Sequence, residues 1–142
     1  MTDGMIGRSE IGLDLALRLL DEVRNAAAAE SLAVAAAVAD PGGHVIASMR
    51  MDGAALGAMT LAVDKAYTAV LWQTPTGEFM ESTQPGGDDW GFPSTSGGRI
   101  VVYAGGLPVF GPELCGALGV SGGTGAQDEA CARRALAAVG LG

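Results

Sequence analysis

The feature that most constrains this chain is a predicted helix over residues 54–73 that is apolar around most of its circumference. Its few polar positions are Thr60, Asp64, Lys65, Thr68 and Gln73. A helix that is apolar nearly all round is buried on more than one side. Such burial is difficult to achieve within a single chain of 142 residues. We therefore predict that this helix lies at a subunit interface or beneath a loop.

The remaining pattern predicts one domain over residues 9–142, preceded by a flexible segment at 1–8. Apolar residues at steps of three and four predict helices over 9–29 and 126–139. Short apolar runs predict strands over 32–39, 44–51, 100–103, 107–110 and 114–120. The turn sequence Asp40-Pro41-Gly42-Gly43 joins the first two strands into a hairpin. Adjacent strands, with helices at both ends and one between, indicate an α+β fold with a mainly antiparallel sheet.

One connection is unusually long. Residues 74–98 are rich in Gly, Pro, Ser, Thr and Asp, and they include Trp90 and Phe92. A loop of this length in a compact domain is usually functional or disordered. The two aromatic residues favour a packed loop, and residues 76–82 are compatible with a short helix.

Composition excludes several classes of function. The chain has 8 basic and 16 acidic residues and a net charge of -8, which argues against a nucleic-acid-binding protein. One histidine and two cysteines are too few for an ordinary closed zinc site. Cys115 and Cys131 are predicted to be small buried thiols in a reducing compartment. We find no secretory signal pattern and no apolar run long enough for a membrane span, so a cytoplasmic protein is expected.

Lys65 is the only lysine, and it is placed on the most apolar helix. A buried lysine is costly unless it is paired, reaches water, or loses its proton and acts as a base or nucleophile. Asp52, Asp64 and Asp128 are its candidate partners. The carboxylate of Asp52 is also suited to cap the start of the helix over 54–73. As an acid/base pair, Lys65 with Asp52 or Asp128 makes up the candidate catalytic group.

A second group of residues is suited to ligand binding. Arg50 presents a forked donor for a carboxylate. His44, the only imidazole, is the first candidate for a metal ligand, and alternation along 44–51 places it on one strand face with Ile46, Ser48 and Arg50. The glycine-rich loop 119–125 lacks the P-loop and dinucleotide patterns. It is either a tight structural turn or a loop whose free N–H groups bind a small anion.

In this order, several segments resemble the GlcG/HbpS-like family, which also supplies the C-terminal domain of PduO-type adenosyltransferases. They are VADPGGHVIASMRMDGA (38–54), AVDKAYTA (62–69), TPT (74–76), YAGGLP (103–108) and CGALGVSG (115–122), followed by Asp128. The resemblance covers roughly residues 10–140. It implies a profilin-like fold, in which helices flank an antiparallel sheet, and assembly into dimers or octamers. It also implies binding of haem or a related tetrapyrrole.

Two hypotheses of function follow. The first is a homo-oligomer that binds haem or another flat, apolar, carboxylate-bearing molecule between subunits. Arg50 meets the carboxylate in this hypothesis, and His44 is a candidate iron ligand. The walls are the 74–98 loop, the turn at Gly105 and Gly106, and the last glycine-rich loop with Gly122 and Gly123. The second is a cofactor-independent isomerase, lyase, dehydratase or cyclase that acts on an apolar metabolite through Lys65 and an aspartate.

Overall fold

The computed structural model describes residues 2–142, which form three helices and four strands. The helices and strands, in chain order, are α1 (Leu13–Ala29), β1 (Ala35–Ala39), β2 (Val45–Arg50), α2 (Ala58–Trp72), β3 (Gly106–Phe110), β4 (Leu114–Ser121) and α3 (Gly125–Ala138). Three single turns of 3-10 helix, Thr76–Phe79, Phe92–Ser94 and Ser96–Gly98, lie in the long connection between α2 and β3.

The four strands form one antiparallel sheet in the order β2-β1-β4-β3. Helices α1 and α3 cover one face of the sheet, and α2 covers the other. The predicted α+β class and its antiparallel sheet are confirmed. Strands β1 and β4 are central, and β2 and β3 are the two edges.

The main core lies between the sheet and the α1–α3 layer. Alternate residues of β1, such as Ala36 and Val38, and of β4, such as Leu118 and Val120, face this layer. They meet fully buried α1 side chains that include Leu19 and Val23. Burial of a leucine or valine contributes about 1.5–3 kcal/mol, so this layer is a main source of the fold's stability.

The opposite face is built from very small residues. Ala62, Ala66 and Ala69 of α2 pack against alternate alanines of β1 and against Ala117 of β4. Gly119 of β4 lies directly beneath α2, where a Cβ atom would overlap the carbonyl oxygen of Ala62 and come within 2.7 Å of the nitrogen of Ala66. The absence of side-chain bulk therefore lets the α2 backbone lie almost on the sheet.

The outer side of α2 is covered by the end of the long connection. Arg99 lies 3.7 Å from the centre of the Tyr67 ring, and Phe92 packs edge-on against Trp72 at 5.2 Å. Thr68, which is fully buried, accepts a hydrogen bond from the Val101 N–H at 3.0 Å. The prediction that a loop covers this helix is confirmed for part of its surface, and the predicted subunit interface stays a prediction.

The predicted strand over 100–103 is wrong, because its backbone groups are satisfied by side chains instead of a sheet ladder. The Val101 N–H goes to Thr68, and the Tyr103 carbonyl accepts from the Thr76 hydroxyl at 2.7 Å. Thr76 also accepts from the Gly106 N–H at 2.9 Å. Two threonines therefore hold this segment in place without strand pairing.

The hairpin between β1 and β2 has the predicted turn, but the alternation along β2 is broken. Asp40 accepts hydrogen bonds from the N–H groups of Gly42 and His44, both at 2.9 Å. A bulge between Val38 and Ala39 then shifts the pairing register. Ile46 consequently packs into the α1–α3 core, away from the face predicted for it.

The structure tests only part of the prediction for the N-terminal segment. Residues 2–8 lie outside helix and strand and are all exposed, while Met1 lies outside the described residues. Flexibility of the segment 1–8 stays a prediction.

Cys115 and Cys131 are free and buried, as predicted, and burial raises the pKa of both thiols. Within residues 2–142, no helix combines the length and apolar character needed to cross a membrane.

Candidate functional site

A cavity of about 570 Å³ opens between α1 and the edge strand β2. Its lining combines apolar side chains with charged groups of both signs. The lining residues are Leu17, Leu20, Asp21, Arg24, Ser48, Met49, Arg50, Met51 and Asp52. The volume falls within the range of ordinary small-molecule pockets, about 300–1,000 Å³. We refer to this space as the α1–β2 cavity.

The two arginines of the α1–β2 cavity differ in their partners. Arg24 pairs with Asp21 at 3.3 Å, and both side chains are well exposed. An exposed pair of this kind contributes little, typically below about 1 kcal/mol. Arg50 has no ion-pair partner within residues 2–142 and is exposed to solvent. Arg50 is therefore free to bind a carboxylate through two parallel N–H donors.

The two methionines in the wall are held differently. Met51 accepts a hydrogen bond at its sulfur from the Val34 N–H at 3.4 Å, which fixes its orientation. Met49 lies in β2 and packs against the α1–α3 core. With Leu17 and Leu20 they give the cavity a polarisable, apolar surface suited to a flat apolar ligand.

The other site residues predicted from the sequence divide between the two ends of the sheet. Arg50 pairs with Ala35 of β1, and Ala35 pairs with Ser121 of β4, so Gly122 lies at the same end as Arg50. Gly106 begins β3 at that end as well. His44 lies just before the other end of β2, six residues from Arg50, or roughly 20 Å along an extended strand. One small contact site therefore does not include both side chains.

His44 is a surface residue. Its side chain is 82% exposed, and its Nδ1 lies 3.2 Å from Asp40 Oδ1 in the hairpin turn. Across residues 2–142 there is no cluster of three or more His, Cys, Asp or Glu side chains that would hold a metal ion. A role for His44 as a metal ligand stays a prediction.

Lys65 and Asp128 form a buried ion pair. Lys65 Nζ donates to Asp128 Oδ2 at 3.0 Å and to the Val120 carbonyl at 2.9 Å, and the two side chains are 1% and 2% exposed. Of the three candidate partners, the structure selects Asp128. The Tyr103 ring lies 5.4 Å from Nζ and covers the pair from the outside. Burial lowers the pKa of Lys65, and the charge and hydrogen bond of Asp128 partly oppose that shift.

This arrangement favours a structural role for the pair. Burial of both partners leaves no open approach for a substrate, and the Lys65 ammonium donates to two acceptors, the Asp128 carboxylate and the Val120 carbonyl. Asp64 is engaged elsewhere, since Arg99 Nε donates to it at 2.9 Å. Asp52 is exposed in the turn after β2, and the predicted cap role is wrong because α2 begins at Ala58 with Gly57 as its N-cap. The acid/base hypothesis is therefore not favoured.

The four predicted binding glycines are packed against the chain itself. A Cβ atom on Gly105, whose φ is +132°, would lie 2.6 Å from Lys65 Nζ, and one on Gly106 would lie 2.7 Å from Thr76 Cγ2. The Gly123 N–H donates to Asp128 Oδ1 at 2.8 Å. Gly122 has a φ of +144°. The carboxylate of Asp128 thus occupies the position that a bound anion would take in this loop.

Sequence reasoning missed three features of the site. Leu17, Leu20 and Arg24 recur at steps of three and four on α1, so their shared face was readable, but its position opposite β2 was not. The cover of Tyr103 over Lys65 and the Asp64–Arg99 ion pair join residues distant in sequence. Periodicity carries no signal for such contacts.

Comparisons with known proteins give a family. A family model described as "Haem degrading protein HbpS-like" matches residues 11–137. A 15.0 kDa Citrobacter freundii protein from the dhaT-dhaS intergenic region is 37% identical over 127 residues, which is 89% of each chain. The corrinoid adenosyltransferase PduO of Salmonella typhimurium is 36% identical over 110 residues, 77% of this chain. That match spans only 33% of PduO, so the chain corresponds to a part of it.

Solved structures agree in fold over nearly the whole chain. The protein ORFY of Klebsiella pneumoniae has a TM-score of 0.94 and 33% identity, covering 100% of this chain and 99% of that one. A structure titled PduOC:Heme complex has a TM-score of 0.89 and 31% identity, covering 94% and 97%. A double mutant of Streptomyces reticuli HbpS has a TM-score of 0.88 and 27% identity, covering 99% and 94%. The chain therefore belongs to the HbpS-like family.

Proposed function

We propose that this protein binds haem, or a related flat apolar molecule that bears carboxylates, in the α1–β2 cavity. The observation that carries the proposal is Arg50, a guanidinium without an ion-pair partner in residues 2–142, in the wall of a cavity of about 570 Å³. The haem complex of PduOC, a relative at 31% identity, supports the choice of ligand.

The residues of the cavity fit such a ligand by their chemistry. Leu17, Leu20 and Met49 supply apolar surface for a macrocycle. Arg50 binds one carboxylate, and Arg24 exchanges its weak contact with Asp21 for a second. The acidic lining residues Asp21 and Asp52 balance the arginines, so specificity rests on the fork geometry of the guanidinium instead of on net charge. Haem, when bound, supplies an iron centre whose reactivity depends on its axial ligands and its burial.

An absorbance titration of the purified protein with haemin tests the proposal. We expect a shifted, saturable Soret band at one haem per chain. Haemin dimethyl ester, which lacks the free carboxylates, binds about tenfold or more weakly, because it loses charge-assisted hydrogen bonds. An unshifted Soret band, or equal affinity for haemin and its ester, contradicts the proposal. Decay of the band after a reductant is added in air would report the degradation named in the family description.

We also propose that the protein is a homo-oligomer in solution. Large apolar side chains remain exposed on α2 and its flanks, among them Leu56 at 81% and Trp72 at 53%. Exposed apolar area of this kind is typical of interfaces. Light scattering on the purified protein is expected to give a multiple of 14.2 kDa. A monomer mass at micromolar concentration contradicts this proposal and leaves the haem titration unaffected.

A further inference from the structure

A second cavity, of about 400 Å³, lies at the other edge of the sheet, between β3 and α3. Its walls include Leu107, Pro108 and Phe110 of β3, Leu136 of α3, and the polar side chain of Gln73. Phe110 is 46% exposed at its rim, while Leu136 is only 6% exposed. We refer to this space as the β3–α3 cavity. It shares no lining residue with the α1–β2 cavity.

The β3–α3 cavity has one charged side chain in its lining, that of Arg133. Arg133 Nε contacts Glu129 Oε2 at 3.5 Å, and the arginine side chain is 59% exposed. The Glu129 side chain is 28% exposed, and a pair at this spacing along a helix is typically worth only about 0.3–0.5 kcal/mol. A ligand carboxylate therefore displaces Glu129 at little cost and gains a charge-assisted contact.

We infer that the β3–α3 cavity binds a small amphipathic monocarboxylate, with its alkyl chain against Leu107, Phe110 and Leu136 and its carboxylate on Arg133. A single cation at the edge of a largely apolar wall, in which Gln73 is the one other polar side chain, matches one carboxylate on an apolar body. Edge strands β2 and β3 are separated by three strand spacings, or about 14 Å, so this site is separate from the α1–β2 cavity.

Calorimetric titration with decanoate, kept below its micelle concentration, tests the inference. We expect saturable binding at one decanoate per chain. Arg133→Gln weakens this binding about tenfold, because one charge-assisted contact is lost. Phe110→Ala weakens it severalfold through lost apolar contact. The matched control is Arg134→Gln, since Arg134 is the next residue on α3, is 55% exposed and contacts Glu30 at 3.6 Å, away from this cavity. We expect Arg134→Gln to leave the affinity for decanoate unchanged.

Three results overturn the inference: no decanoate binding, equal affinity in Arg133→Gln and the parent protein, or equal binding of decyltrimethylammonium, which carries the opposite charge. A fourth is displacement of decanoate by haemin, which would place both ligands in one cavity. Decanoate binding is measured in the absence of haem. A haemin titration that shows no binding therefore does not affect the outcome of the decanoate titration.

Discussion

The variant Asp128→Asn is expected to lose about 3–5 kcal/mol of unfolding free energy, because it leaves the charge of Lys65 buried without a counterion. The asparagine retains an Oδ1 acceptor for the Gly123 N–H, so the substitution removes the charge and spares that hydrogen bond. Chemical denaturation followed by circular dichroism measures the loss. For a domain of ordinary stability, about 5–15 kcal/mol, such a loss is large.

Two further variants isolate the ion pair as the cause. Glu129→Gln, the matched control at the next residue of α3, removes a carboxylate whose contact with Arg133 is at the surface and costs below about 0.5 kcal/mol. Adding Lys65→Met to Asp128→Asn removes the stranded charge and restores more than half of the lost stability. A double variant that is no more stable than Asp128→Asn contradicts the ion-pair explanation.

The pH dependence of Asp128→Asn follows from the lowered pKa of Lys65. Between the folded pKa of Lys65 and its higher unfolded pKa, the unfolded chain binds more protons than the folded one, so stability rises with pH in that window. Asp128→Asn lacks the carboxylate that opposes the lowering of the Lys65 pKa. The pH window between the folded and unfolded pKa values of Lys65 is therefore wider in this variant. The unfolding free energy that Asp128→Asn loses relative to the parent protein is therefore expected to become smaller as the pH is raised from 7 towards 10.

The variant Gly119→Ala is expected to lose about 3 kcal/mol or more, or to fail to fold. Its Cβ atom would overlap the carbonyl oxygen of Ala62, which belongs to the α2 backbone, so no change of rotamer relieves the contact. The helix has to move away from the sheet, and the buried alanine contacts beneath it, together with the position of Lys65, have to move with it.

Gly111→Ala is the matched control for Gly119→Ala. Gly111 lies in the turn between β3 and β4, where a Cβ atom would have no neighbour within 4 Å. Neither glycine has a φ in the left-handed range, so backbone freedom does not separate them. We expect Gly111→Ala to change stability by less than about 0.5 kcal/mol. Thermal melts of equal midpoint for the two variants contradict the close packing of α2.

The fold was readable from the sequence where local patterns decide it. The Asp40–Gly43 turn follows from turn chemistry, and the long apolar run over 54–73 predicts the helix that the structure has at Ala58–Trp72. The segment 100–103 was misread because its apolar residues imitate a strand, while the hydroxyls of Thr68 and Thr76 take up its backbone groups. Side-chain capture of this kind depends on residues about 30 positions away and leaves no local pattern.

The site was readable in part. The isolation of Lys65 on an apolar helix predicted a buried or paired lysine, but only the fold selects Asp128 over Asp52 and Asp64. The chemistry of Arg50 predicts that it binds a carboxylate, and that role stays a prediction. The α1 wall opposite Arg50 has no sequence signal, because the approach of α1 to β2 is a tertiary contact.

The most direct test of haem binding in the α1–β2 cavity is the haemin affinity of Arg50→Gln compared with that of His44→Ala. The two residues lie near opposite ends of the same strand, and both are exposed, so both variants are expected to fold. Haem binding at Arg50 in the α1–β2 cavity predicts that Arg50→Gln weakens haemin binding about tenfold, through loss of a charge-assisted contact, and that His44→Ala leaves the affinity unchanged. Unchanged affinity in Arg50→Gln, together with loss of the Soret shift in His44→Ala, would contradict it.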